Sequence, residues 1–318
     1  LGRIVVAGVA TGNFAIARYN QDGSLDTSFD GDGKAVTDFG GYQDEARGVS
    51  ILDNGKILVA GINGNGEPNF NFALAQYNPD GSLDTSFSSD GKVITDLGGR
   101  DCIFSSVLQA DGKIIVSGTT GAQLSQDFVV ARFNLDGSLD TSFSDDGWVS
   151  INFFGYNDEA RGLAVQADGK IVIAGSTYNG SNIDFGLVRL NTNGSLDSSF
   201  GNEGKVVTSV FSGDDVATSI SVASDGKLLV TGHAWTGSNF TTALLRYNTD
   251  GSLDNSFDGD GKFTFGNGSG YDLTLSKNGT VVIVGPERVN GQEYASVSLV
   301  QSSSDLISQD LNAASDSQ

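Results

Sequence analysis

The chain has 318 residues, with 18 Lys and Arg against 39 Asp and Glu, giving a formal net charge of −21. That charge repels a phosphate backbone and argues against nucleic-acid binding. No apolar run approaches the ~18 residues of a membrane helix, and one Cys and one His rule out a disulfide framework and any multi-His or Cys-rich metal centre.

The chain begins at Leu1, without Met or a signal-peptide pattern, and reads as a piece of something longer. A periodic pattern starts at once. Arg3-Ile4-Val5-Val6 leads to Gly8, and Ser24 opens the hexapeptide Ser-Leu-Asp-Thr-Ser-Phe. The hexapeptide returns at Ser82 and Ser138 and, varied, at Ser195 and Ser252. A Gly-Lys motif followed by apolar or small residues ends at Gly61, Gly118, Gly175 and Gly232, always 57 residues apart. Looser copies end at Gly8 and Gly285, so there are six in all.

One unit shows what the repeat encodes. Residues 47–52 form a short run closed by the turn signal Asp53-Asn54-Gly55. Lys56 to Ala60 is apolar without alternation, as expected of a strand covered on both faces. In Phe72-Ala73-Leu74-Ala75-Gln76-Tyr77 large and small side chains alternate with period two, and Lys92 to Leu97 makes a fourth strand. Four short antiparallel strands per 57 residues predict an all-β propeller of about six blades, or seven with sequence missing. The 44 glycines are then repeated turn chemistry. The first copy lacks its initial strand, and Asp305 to Leu311 is a candidate closing strand. Residues 1–301 therefore read as one propeller domain, and 302–318 as a polar tail or closing strand.

The stretches Asp158 to Gly175 and Asp127 to Phe143 carry the pattern most fully. The first contains Asp-x-Ala-x-x-Val/Leu-x-x-Gln-x-Asp-Gly-Lys-Ile-x-Val/Ile-x-Gly. The second contains Asp/Asn-Phe-x-x-Ala-Arg-Tyr/Phe-Asn-x-Asp-Gly-Ser-Leu-Asp-x-Ser-Phe. Over roughly residues 1–300 the chain resembles the bacterial delta-60 repeat family. That resemblance implies a β-propeller, commonly within long exported or surface-associated bacterial proteins, and it implies no catalytic activity.

Three groups of residues are candidate sites. The long hairpins carry Asp22, Asp26 and Asp32; Asp80, Asp84 and Asp90; Asp136, Asp140 and Asp146; Asn193, Asp197 and Glu203; and Asp250, Asp254 and Asp260. Such oxygen clusters could hold Ca²⁺, although they do not match an EF-hand loop. Alternatively they cap their own turns and pair with Arg18, Arg132, Arg189 or Arg246. Asp44, Asp101, Asp158, Asp215 and Asp272, spaced by 57, form a second series near the mouth of the expected channel. There they either bind a cation or accept backbone N–H bonds that fix the turns between blades.

Recognition is expected in the variable loops Thr11–Asn13, Asn63–Asn71, Thr119–Gln126, Ser176–Ile183, His233–Ser238 and Pro286–Glu293. His233 and Trp235 offer a polar ring and an aromatic platform for a sugar, with Tyr178 as a contributor. Cys102 and Trp148 read as packing variants. The expectation is a non-enzymatic module at the bacterial cell surface that binds protein or glycan or builds an assembly. A calcium-binding propeller, and a hydrolase or lyase acting in the central channel, are the alternatives.

Overall fold

The computed structural model describes residues 2–64, 66, 70–122, 125–289, 292–301 and 306–307. Parts of the loops 63–71, 119–126 and 286–293 lie outside the described residues, as does the tail 302–318 apart from 306–307. The described residues form six antiparallel sheets of three or four strands and contain no helix, an all-β six-bladed propeller.

The chain divides into two compact units, residues 1–152 and 153–318, with three sheets each. In the first unit, one sheet has β1 (Ile4–Ala10), β2 (Asn13–Tyr19) and β3 (Lys34–Thr37). The next has β4 (Gln43–Ile51), β5 (Ile57–Gly64), β6 (Phe70–Tyr77) and β7 (Lys92–Thr95). The third has β8 (Cys102–Leu108), β9 (Ile114–Ala122), β10 (Ser125–Phe133) and β11 (Trp148–Ile151).

The second unit opens with β12 (Asp158–Val165), β13 (Ile171–Tyr178), β14 (Ile183–Leu190) and β15 (Lys205–Thr208). It continues with β16 (Asp215–Val222), β17 (Leu228–Trp235), β18 (Phe240–Tyr247) and β19 (Lys262–Phe265). The last sheet has β20 (Asp272–Leu275), β21 (Val281–Val289), β22 (Gln292–Val300) and β23 (Leu306–Ile307). The short β23 pairs with β22, so it extends the last sheet and leaves the first with three strands.

The two middle strands of a sheet carry its core. Every residue of β5 is buried, and β6 is buried at all but one position. Within the first unit, Leu58, Phe72 and Phe87 pack with Ile103, Val116 and Phe133 of the neighbouring sheet. Cys102 is buried and Trp148 packs on this cluster. In the second unit Phe185, Leu187 and Phe200 meet Val230, Leu245 and Tyr247. Burying a large apolar side chain of this kind contributes about 1.5–3 kcal/mol.

The first strand of each complete repeat shifts register once, at Ala46/Gly48, Ile103/Ser105, Ala160/Gly162 and Ala217/Ser219. This β-bulge drives a carbonyl into the second strand. A Cβ on Gly61 would lie 1.9 Å from the Glu45 carbonyl oxygen, and one on Gly118 would lie 1.8 Å from that of Cys102. The motif glycine is therefore required by close approach of backbone, not by a turn.

The hairpin between the third and fourth strands is built around a buried ion pair. Arg18, Arg132, Arg189 and Arg246 each donate Nε to Asp26, Asp140, Asp197 and Asp254 at 2.6–2.8 Å. Each guanidinium also lies 4.6–4.8 Å from the ring centre of a buried Phe: Phe29, Phe143, Phe200 or Phe257. The second-strand cation completes the set, as Arg3, Lys56, Lys113, Lys170 and Lys227 reach the same carboxylates. The other carboxylate oxygen accepts from a Ser two residues on, Ser28 Oγ at 2.6 Å in the first sheet. In the second sheet Gln76 stands where the others have Arg, and Lys56 alone pairs with Asp84.

Burial by itself would raise the carboxyls of Asp140, Asp197 and Asp254. Their Lys, Ser and Arg donors overcome it and hold all three well below the ordinary carboxylate range. Replacing Asp197 by Ala strands Arg189 in the interior and is expected to lower the unfolding free energy by ~3–5 kcal/mol. A folded pKa below the usual 3.8 means that this contribution is present above about pH 4 and is lost as acid protonates the carboxylate. Urea titrations at pH 7 and pH 3 should therefore show the gap between wild type and Asp197→Ala narrowing in acid. An equal gap at both values would refute the ion-pair account.

Candidate functional site

The hairpin acids are held by the fold's own donors. Asp22, Asp80, Asp136 and Asp250 each accept from the backbone N–H and hydroxyl of a Ser two residues on, which lowers their pKa. Asp32, Asp90, Asp146 and Asp260 accept the backbone N–H of residues 34, 92, 148 and 262. Asp84 binds Lys56 and Ser86. Among the described residues, no three His, Cys, Asp or Glu side chains converge to hold a metal ion. In the fourth hairpin, Asn193 caps Ser195 and Asp197 joins the Arg189 pair.

The second acidic series caps turns that enter the first strands. Asp44, Asp101 and Asp158 are fully buried, and Oδ2 of each accepts a backbone N–H from the preceding connection, from Phe39, Leu97 and Phe153. Oδ1 of each accepts from a side chain across the strand pair: Asn63 at 2.7 Å, Thr120 at 2.5 Å and Thr177 at 2.6 Å.

Asp215 keeps only half of this arrangement. Its Oδ2 accepts from Val210 and Phe211, but the residue across the ladder is Ala234, and Oδ1 has no hydrogen-bond donor. Burial, with the Asp184 charge adding to it, pushes its carboxyl up to about 6. Asp272 does not share the place at all. It pairs across the ladder with Val284, is exposed, and accepts from Ser219 Oγ at 2.7 Å. Gly268, bridged to Glu287, occupies the capping position instead. A spacing of 57 is kept in sequence, but β20 is shortened and its register moves.

Loss of that cap coincides with a cavity of about 690 Å³ at the loop end of the fifth and sixth sheets. Trp235 and Phe240 line it from β17 and β18, their rings 4.9 Å apart at a steep angle. Tyr271 and Pro286 line the sixth-sheet side, with Arg288 and Glu293 beyond them. Asn239 donates to Asn267 at 2.6 Å, joining the two loops across the floor. The cavity thus has aromatic planes, amides and one cation beside one acid. Its size is in the range of small-molecule sites.

Of the three expected ligand-binding residues, only Trp235 lines this cavity. His233 lies behind it, packed edge-on against Phe240 with ring centres 5.0 Å apart. Burial, aided by the Arg161 charge, lowers the His233 pKa and keeps the ring neutral at pH 7, and its Nδ1 has no hydrogen-bond partner. Tyr178 of the fourth sheet pairs instead with Tyr156, in the connection before β12, ring centres 5.3 Å apart. Asn239, Phe240, Asn267 and Tyr271 were not anticipated. The signal for them was the glycine-rich 266–270, where the repeat loses its usual blade-to-blade sequence.

The half-capped Asp215 gives a direct test. Ala234→Thr would supply the hydroxyl that Thr120 and Thr177 supply to Asp101 and Asp158. A hydrogen bond to the ionised carboxylate should stabilise by ~1.5–3 kcal/mol at pH 8. With a folded pKa near 6 the wild-type acid takes up a proton as pH falls, so most of that gain should vanish by pH 4.5. Denaturant midpoints at the two pH values would measure it. A gain independent of pH would point to packing alone.

The fold is shared with solved structures at low sequence identity. An ulvan lyase of polysaccharide lyase family PL25 superposes with a TM-score of 0.58 at 13% identity, covering 97% of this chain and 80% of that one. The polysaccharide lyase Uly1 gives 0.53 at 14%, covering 100% and 81%. A streptogramin B lyase gives 0.52 at 12%, covering 96% and 98%. A Bacteroides caccae protein of unknown function gives 0.52 at 13%, covering 96% and 92%. These likenesses correct the expectation that the chain is not an enzyme: three chains of the same fold are lyases, so neither propeller architecture nor repeat symmetry excludes catalysis.

No curated protein sequence matches the chain. Residues 2–29, 52–87, 109–143, 166–200 and 223–257, just over half of the chain, match the family described as "Domain of unknown function (DUF5122) beta-propeller". Each matched segment ends on the buried phenylalanine of a hairpin, Phe29, Phe87, Phe143, Phe200 or Phe257. The chain is a member of that β-propeller family.

Proposed function

We propose that this protein binds carbohydrate, through the cavity between the loops of β17–β18 and the β19–β22 segment. The observation that carries the reading is the lining: Trp235, Phe240 and Tyr271 present aromatic surface beside Asn239, Asn267 and Ser269. Sugar rings have apolar C–H faces and a rim of hydroxyls, so flat apolar walls with amide donors and acceptors match them. Phe240 and Tyr271 remain 40% and 58% exposed, so their ring surface is open to a ligand in the cavity.

An extracellular or cell-surface setting fits this function. The chain has no Met to oxidise, and its single Cys is buried. Two of the lyases that share the fold act on polysaccharide, and one was solved with a GlcA–Rha3S unit bound. At their low identity this agrees with the proposal without carrying it.

Affinity gel electrophoresis in neutral β-glucan, galactomannan and alginate would identify the class. One of these gels should retard the wild-type protein. Trp235→Ala and Tyr271→Ala should each weaken that retardation by ~10-fold or more, while Tyr178→Ala should leave it unchanged. Retardation that survives both cavity substitutions, or none in any gel, would end the proposal.

A further inference from the structure

Two charged side chains line the cavity, Arg288 and Glu293, and they stand at a repeat position that is uncharged in four other sheets. Three residues beyond the close-approach glycine, the ladder pairs Gly64 with Phe70, Gly121 with Gln126, Tyr178 with Ile183 and Trp235 with Phe240. In the sixth sheet the same count from Gly285 gives Arg288 with Glu293. The aromatic pair that the fifth sheet contributes to the cavity thus has a charged pair as its counterpart in the sixth. Arg288 Nη2 lies 3.7 Å from Glu293 Oε2, and the two side chains remain 72% and 56% exposed. The backbone beneath them is held in place. Arg288 N–H donates to the Asn267 carbonyl at 2.8 Å, and Ser269 N–H to that of Pro286 at 3.1 Å. Two more exposed carboxylates stand close by: Asp214, whose carbonyl accepts the Trp235 N–H, and Asp272, next to Tyr271 in the chain.

We propose, on the carbohydrate reading above, that Arg288 and Glu293 are the specificity residues of this cavity and that its ligand is a neutral glycan. A guanidinium has only donors and a carboxylate only acceptors. Set 3.7 Å apart, they match two adjacent hydroxyls of one sugar ring, one accepting from Arg288 and the other donating to Glu293. A uronate or sulfate group can use only the first half of that set. It must displace Glu293 from Arg288 and then lie against it, with Asp214, Asp272 and a chain of net charge −21 adding repulsion. Glu293 is therefore the repulsive element that discriminates against polyanions.

Affinity electrophoresis of wild type, Glu293→Gln and the double variant Glu293→Gln, Arg288→Gln tests this. The gels contain β-glucan, galactomannan or alginate, each run beside a gel without polymer. Both side chains are exposed, so the variants keep the core intact. Wild type should be retarded by a neutral polymer and run freely in alginate. Glu293→Gln should bind that neutral polymer ~5-fold more weakly and become retarded in alginate, and the double variant should lose the alginate retardation. Wild-type retardation in alginate would overturn the assignment while leaving the carbohydrate reading standing. So would a Glu293→Gln variant that runs as wild type in every gel, or alginate retardation that persists in the double variant. Wild type running freely in all three gels would end the carbohydrate reading itself, and the specificity with it.

Discussion

A carboxylate can stay inside a protein only if donors reach its oxygens, and here that requirement organises the whole repeat. In four of the five hairpins one aspartate draws an arginine from the third strand of the repeat and a cation from the second, and the arginine in turn rests on a buried phenylalanine. Three strands and a loop are thereby tied to one side chain. The net charge of −21 thus includes, from sheet to sheet, the same buried connector and the same exposed turn caps.

The sequence displayed most of this architecture. A 57-residue period, unalternating second strands and large–small third strands were enough to read four-stranded blades and their number. Pairing of Arg18, Arg132, Arg189 and Arg246 with the hairpin acids could be weighed because both partners recur at fixed spacing. Where spacing misled, the reason is local. Asp272 lies 57 residues after Asp215, yet a shortened β20 shifts its partner to Val284 and puts Gly268 at the cap. Register is a property of paired strands, and a count along one strand does not contain it.

The binding cavity was only half visible for a related reason. Trp235 stood out because it breaks the repeat, but Phe240 and Tyr271 sit at positions where aromatic residues also occur for packing. What distinguishes them is exposure, which depends on the collapse of the 266–270 connection around glycines. Tyr178 had the same credentials in the sequence and fell to a neighbour, Tyr156, in the connection that leads into its own sheet. Symmetry is broken at both the cap of Asp215 and the cavity beside it, and Ala234 and Trp235 are adjacent in the chain. Departure from the repeat therefore clusters in one short stretch of β17.

The hairpin ion pair also reaches beyond its own sheet. Arg18 donates to the Pro79 carbonyl of the following hairpin, and Arg189 to that of Thr249. Backbone bonds Asp30 N–H to Asp80, Ser88 N–H to Asp136 and Gly201 N–H to Asp250 run alongside. Within each unit these bonds couple sheets that are neighbours in sequence, the first to the second, the second to the third and the fourth to the fifth. Gln76 interrupts that relay, and its buried amide nitrogen has no acceptor. Coupling from the second sheet to the third then rests on packing, on the backbone bonds from Ser88 N–H to Asp136 and from Asp101 N–H to Phe70, and on Arg47 over the Phe104 ring. The second hairpin thus passes its hold to the third sheet through main chain and packing, where the first hairpin uses a charged side chain.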